Sequence, residues 1–218
     1  MKTSKIIFIS FFGIIGLFLL SLLIQVPEGK RDAKLESESK ALPQFSHLVV
    51  SKGANLQVSY GASDSIRLSH DKGIIITQPV FWTKGDTLVV DPIPNQGNFF
   101  LELTCSVLKS ISLNESRVDL RQITLSNLQI EGTNAEINFS YNVTIDSMWM
   151  NLSSGSQFWC NSSKLKAVQL TANKSNADFS IDQIADLKAD LRDSSELSTW
   201  KVLRSNVQTD ETSRYYSR

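Results

Sequence analysis

Histidine and cysteine are the scarcest chemistry-bearing residues of this 218-residue chain, with two of each. His47 stands beside Leu48 in an alternating apolar segment, and His70 precedes Asp71-Lys72 in a turn. Neither has a second His or Cys at metal-ligand spacing, which excludes a zinc-type centre built on a local motif. Each reads as a lone surface histidine. A Gly-x-Ser-x-Gly elbow, a phosphate loop and a dinucleotide fingerprint are also missing. No catalytic, cofactor-binding or metal residue is assigned, and no cofactor is expected. Neither sign of charge is in excess, because 22 Lys and Arg face 22 Asp and Glu. Nothing therefore draws the chain to nucleic acid or to an acidic membrane surface.

What is present begins with a charge-free apolar run of 21 residues, Ile6 to Val26, closed by Pro27. At helical rise it reaches about 30 Å, the thickness of a bilayer core. A cleaved signal peptide is the competing reading, but its apolar region is normally about 7–15 residues and ends at a small-residue cleavage site. No such site stands near Leu23–Pro27, and no Cys there could accept a lipid. The run is expected to be an uncleaved anchor over 1–27, with the bilayer as partner through residues 6–26. Lys2 and Lys5 precede it, so the N-terminus stays cytoplasmic and the rest is exported. Residues 28–42 are charged and lack periodicity, as in a solvated spacer.

Beyond residue 42 the apolar residues alternate, the period of strands and not of helices. The C-terminal half also repeats itself about every 20 residues. Leu125, Ile145, Leu165, Ile184 and Leu203 form one column; Leu128, Met148, Val168, Leu187 and Val207 form a second. Ile130, Met150, Leu170 and Ala189 form a third, and Phe139, Trp159, Phe179 and Trp200 an aromatic fourth. The last aromatic step is one residue longer, which predicts an extra residue near Ser195. Polar tracts recur in phase between the strands: Gly132-Thr133-Asn134, Ser153-Ser154-Gly155, Asn173-Lys174-Ser175 and Asp193-Ser194-Ser195. Such a unit buries its apolar face only by stacking on copies of itself.

The expected fold is all-β, a right-handed three-sided β-solenoid of about 20 residues per turn. A meandering sandwich is the structural alternative. Residues 43–107 read as irregular N-terminal coils, with alternation at Leu48/Val50, Leu56/Val58, Ile66/Leu68, Ile74/Ile76 and Leu88/Val90. Regular coils follow over 108–209, then a polar cap or tail over 210–218. Cys105 and Cys160 fall two to three turns apart on this reading, too far for a disulfide, so two unpaired thiols are expected.

Residues 45–90 resemble the opening of the bacterial head-GIN-domain family, often labelled auto-transporter adhesins. The phrases that carry the resemblance are Phe45-x-x-Leu48-x-Val50-x-x-Gly53, Leu56-x-Val58-x-x-Gly61, Ile66-x-Leu68 and Gly85-Asp86-Thr87-Leu88-Val89-Val90. The later Ser/Asn-rich coils are similar to that family too, so the resemblance covers about 43–210. It implies a right-handed solenoid in an exported bacterial protein, and it implies no established activity.

Arg117, Asp119 and Arg121 alternate with Val118 and Leu120 and so share an outer face. Some polysaccharide-cleaving solenoids carry carboxylates and a basic residue in that way, but a solvated ion-pair row is the simpler reading. Two carboxylates converging on one cleft are wanted for glycoside cleavage. The outward column Glu131, Asn151, Thr171, Arg192 does not stack acids. Trp149 and Phe158 are read as outward rings able to stack on a sugar or anchor a partner, unless a loop from the irregular first third covers them. Asn-x-Ser/Thr at Asn114, Asn138, Asn142, Asn151 and Asn161 reads as turn and ladder residues. The expected role is a non-enzymatic, inner-membrane-tethered module of the periplasm, presenting a rigid surface to an unidentified envelope protein or glycan. A cell-surface adhesin is the alternative, and a carbohydrate-active β-helix enzyme the second alternative.

Overall fold

The computed structural model describes residues 35–72, 79–91, 99–161, 163–181 and 183–217. The apolar run at 6–26 and the Ile74/Ile76 pair lie outside them. Among the described residues no helix is long and apolar enough to cross a membrane, and every regular element is a strand. In chain order the first are β1 (Leu35–Ala41), β2 (His47–Val50), β3 (Asn55–Tyr60), β4 (Ser65–Asp71), β5 (Phe81–Lys84), β6 (Thr87–Val90) and β7 (Phe99–Cys105). Then come β8 (Ser110–Asn114), β9 (Arg117–Arg121), β10 (Thr124–Thr133), β11 (Glu136–Tyr141), β12 (Val143–Ser153) and β13 (Gln157–Asn161). The last are β14 (Ser163–Asn173), β15 (Asn176–Ser180), β16 (Ile184–Arg192), β17 (Glu196–Thr199), β18 (Val202–Thr209) and β19 (Arg214–Ser217).

From β10 onward each turn supplies one longer and one shorter strand. The longer ones belong to a sheet ordered β18-β16-β14-β12-β10-β8-β2-β6-β5, the shorter ones to a sheet ordered β1-β4-β7-β3-β9-β11-β13-β15-β17-β19. The repeating pairs are parallel, with Leu125 opposite Ile145, Ile145 opposite Leu165, and Leu165 opposite Ile184. A meandering sandwich would pair its neighbours antiparallel. The fold is a β-solenoid of about five turns.

Ladders of like side chains fill the interior. One runs Leu88, Leu48, Ile111, Ile130, Met150, Leu170, Ala189, Val207 across eight strands. Val207 therefore belongs to the third column and not the second, which ends at Ser205. The first column ends at Val202, and Leu203 is 58% exposed. The final step shortens to 18 residues (Ile184 to Val202), so a 19-residue extrapolation overshoots by one. The outward column likewise continues from Thr171 to Asp190, while Arg192 pairs with Asn173.

The aromatic column needs the larger correction. Phe139 stands opposite Cys160 and Cys160 opposite Phe179, which faces Thr199. Phe158, read as outward, is buried, and it packs 5.0 Å from both Phe139 and Phe179 between ring centroids. Trp159 faces outward beside Asn138 and Asp178, and Trp200 is 53% exposed. For Trp159 the cause is one extra turn residue. Glu136 pairs with Gln157, a step of 21, whereas Thr133 pairs with Ser153, a step of 20. Ser154 and Gly155 both adopt positive φ there, where the equivalent turns at Asn134 and Lys174 use one such residue. Gly155 at φ 89° suits the added left-handed residue. A second extra residue, at Asp193-Ser194, is the one expected near Ser195.

Beside these turns runs a ladder of small buried residues: Ala54, Ser116, Ala135, Ser156, Ser175, Ser195 and Ser213. Hydroxyls of the later turns accept from the backbone of the turn before. The Ala135 N–H donates to Ser156 Oγ, Ser175 N–H to Ser195 Oγ and Ser195 N–H to Ser213 Oγ, each at 3.1 Å. Corner amides that would otherwise be orphaned inside the fold are thereby satisfied.

The irregular N-terminal coils close the other end. β2 lies between β8 and β6, and β3 between β9 and β7, so spatial order departs from chain order. β4 and β1 then add antiparallel beyond β7, and β5 folds antiparallel onto β6. Leu35–Ala41, inside the segment read as spacer, is thus an edge strand of alternating charged and small residues, held by backbone pairing with β4. β19, inside the segment read as tail, completes the last turn against β17. Cys105 and Cys160 are both free and buried. They sit on β7 and β13, four strand steps apart, or roughly 19 Å.

Candidate functional site

The longer strands are not straight. In β12 the alternation of buried and outward residues breaks at Asp146-Ser147. Pairing skips that position between β12 and β14, and its equivalents at Ala185 and Leu203 further along. Each strand turns a corner there, and the bends stack into a groove of about 380 Å³ on the outer side. Small side chains, Ser147 and Ala167, leave the space; Asp186 and Arg204 continue their row. The next row is Trp149, Gln169, Lys188 and Asn206, each on the strand hydrogen-bonded to the last.

Trp149 is outward, as alternation predicts, and 44% exposed. Arg204 grips Asp186 with two bonds, Nε to Oδ1 at 2.5 Å and Nη2 to Oδ2 at 2.7 Å. Those bonds hold the Asp186 carboxyl below its ordinary range. Asp146 and Lys166 pair at 2.6 Å at the bend itself. Sequence reasoning found Trp149 but not Gln169, Lys188, Asn206 or the Asp186–Arg204 pair. The available signal was that the first three occupy the phase of Trp149 in successive repeats.

Arg117, Asp119 and Arg121 do share the outer face of β9, along a second groove of about 250 Å³ with Asn55, Gln57, Phe100 and Glu102. Arg117 pairs with Glu136 at 2.8 Å. Asp119 Oδ2 accepts two bonds from Arg121, and Oδ1 accepts from Ser140 Oγ. Glu102 lies two strands from Asp119, across Gln57, and pairs with Arg67 at 3.5 Å. Both carboxylates are thus held in pairs with arginines, the ion-pair row of the simpler reading.

The histidines lie in different places from each other. His47 Nδ1 is 2.6 Å from Ser110 Oγ and its Nε2 is 3.4 Å from Asp86. His70, expected in a surface turn, is 6% exposed within β4, with Nδ1 3.0 Å from the Asp71 carbonyl and its ring tilted against Phe99. Strand β4 extends through Asp71, so the position carries the inward phase of Ile66 and Leu68. Among the described residues no group of three or more His, Cys, Asp or Glu gathers as a metal site.

No family model matches the chain, and no curated protein matches it. Solved structures do share its architecture. A candidate adhesin from Bacteroides fragilis is 11% identical with a TM-score of 0.60, covering 84% of this chain and 97% of that one. One from Parabacteroides merdae is also 11% identical, at 0.58, covering 86% and 97%. A candidate lipid-binding protein from Parabacteroides distasonis is 9% identical at 0.58, covering 84% and 96%. At such identities the likeness is one of fold, and the chain has the β-solenoid fold of these bacterial proteins.

Proposed function

We propose that this chain is a non-enzymatic interaction module of the bacterial cell envelope. A head-GIN-type solenoid, right-handed and three-sided, is tethered to the inner membrane by residues 6–26 and offers its outer face to a protein or glycan on the exported side. One observation carries the reading: the interior is filled by ladders, while an outer groove of about 380 Å³ holds an exposed tryptophan. Exposed Trp walls with adjacent amides are what sugar and protein surfaces use for anchoring. The strong right-handed bias of parallel crossovers supports the handedness, and the bend within the longer strands supports a third side. The two Lys before the apolar run support the orientation.

An adhesin reading shares the groove and is favoured by two of the structural neighbours, named as candidate adhesins. It needs exposure outside the cell. Catalysis is disfavoured by the paired state of Asp119 and Glu102. The lipid-binding name of one neighbour finds no apolar chamber among the described residues, where the ladders occupy the interior.

Two measurements test the proposal. Protease should cleave the domain only after the outer envelope is opened; cleavage in intact cells would move the reading to the adhesin. The full chain in detergent should co-sediment with envelope polysaccharide or protein fractions and release no new reducing ends. Trp149→Ala should weaken that binding about tenfold, or about 1.4 kcal/mol, with melting unchanged. Undiminished binding by the variant would remove the groove from the proposal.

A further inference from the structure

We infer that the bend groove takes an extended acidic polysaccharide, a uronate-containing chain lying parallel to the coil axis. The inference rests on the groove being the interaction site. Its first support is periodicity. Trp149, Gln169, Lys188 and Asn206 occupy hydrogen-bonded neighbouring strands, so the groove offers one side chain every ~4.8 Å. A pyranose in an extended chain is about as long as one such step. A linear glycan therefore meets one rung per sugar, whereas a small molecule would use one or two.

The second support is what each rung offers. Trp149 gives an exposed ring face for a sugar's C–H face. Gln169 and Asn206 present amides that both donate and accept, as vicinal hydroxyls require. Among the described residues the side chains of Trp149, Gln169, Lys188 and Asn206 have no hydrogen-bond or ion-pair partner, so a ligand displaces no internal bond.

Charge complementarity decides the class of sugar. The one carboxylate lining the groove among the described residues, Asp186, is consumed by the two bonds from Arg204. Among the described residues Lys188 is left as the uncompensated cation in the middle of the row. A sugar carboxylate over Lys188 gains a charge-assisted bond. A neutral sugar there would strip water from the ammonium and return only a weaker bond. A duplex or single-stranded nucleic acid would want a stripe of cations and a second stacking ring, and the row has one of each.

Calorimetric titration of the full chain in detergent tests this, using oligogalacturonate and a neutral β-linked glucan oligomer of equal length. The acidic oligomer should bind and the neutral one should bind at least about fivefold more weakly. Lys188→Gln should weaken the acidic oligomer about tenfold and flatten its salt dependence, while Lys188→Arg retains most of both. Trp149→Ala should weaken both oligomers. Melting curves of the variants should match the parent, because all these side chains are on the outer face. No binding of the acidic oligomer, or binding indifferent to Lys188→Gln, overturns the inference. Equal binding of the neutral oligomer, still lost in Trp149→Ala, overturns it too while leaving the interaction module intact. Loss of envelope binding altogether would fall on the broader proposal instead.

Discussion

At the scale of single residues, stability rests on small polar groups as much as on the apolar ladders. Ser195 is fully buried; its hydroxyl accepts from the Ser175 N–H at 3.1 Å and donates to the Arg192 carbonyl at 2.6 Å. Ser195→Ala removes both partners and fills no new space, so it should cost about 1–3 kcal/mol in a denaturant titration. A variant as stable as the parent would show that the serine ladder is ornament. The two thiols behave oppositely to reactive cysteines. Burial pushes Cys105 from its ordinary 9.0 up to about 12, with Asp64 adding to it. Burial does the same to Cys160, with Ser163 opposing and Asp178 adding. A folded pKa above the unfolded one means the folded state holds its proton longer. Stability is therefore intact below about 9 and falls as pH rises from about 9 toward about 12. Neither thiol should react with an alkylating reagent at pH 8 until denaturant is added; prompt labelling of the native chain would contradict their burial. Asp210 shows the acid counterpart. Its carboxylate accepts the Asp193 N–H, then bonds from Ser213 and Thr212, which hold it well below the ordinary carboxylate range. That support is complete above about pH 4 and is lost as pH falls below it. Asp210→Asn should make the acid limb of the melting profile shallower.

At the scale of elements, the legible part was whatever kept a constant step. The columns on β10, β12, β14 and β16 advance by 20, 20 and 19 residues, so self-comparison found them and the solenoid with them. Of the shorter strands, β11 and β15 kept the expected phase and β13 did not, because the turn at Ser154-Gly155 inserts one residue and a slip of one exchanges the two faces of a strand. Trp159 and Phe158 both fit an aromatic column on paper, and only the register decides between them. The groove was legible to the extent of Trp149. Which outward rows become concave depends on the bend at Asp146-Ser147, and a broken alternation two residues long carries little signal in one sequence. The register yields a sharp comparison. Phe158→Ala and Phe179→Ala should each cost about 3–5 kcal/mol, since each ring is buried against the other. Trp159→Ala, on the outer face, should cost about 1 kcal/mol or less. Equal losses at 158 and 159 in thermal melts would mean that this strand is in the wrong phase.

At the scale of the whole molecule, a solenoid is close to one-dimensional, and each turn is stabilised only by the turns beside it. The two ends of the described domain differ. At one end β1, β4 and β5 lie antiparallel across the coil, and the edge strand β1 carries Glu36, Glu38 and Lys40, which discourage pairing with another chain. At the other end β18 and β19 each pair on one side only, and most of their residues are exposed. Opening should therefore proceed from β18 and β19 inward, not from both ends alike. Hydrogen exchange read by mass spectrometry should show peptides over 202–217 exchanging first, those over 124–173 last, and β4 and β7 close to the centre in protection. Ser195→Ala should speed exchange in β17 and β19 and leave β2 and β3 untouched, because coupling decays turn by turn. Protection of 202–217 equal to that of the centre would require another surface seated on the β18 edge. A dependence of that protection on protein concentration would identify the surface as a second copy of this chain.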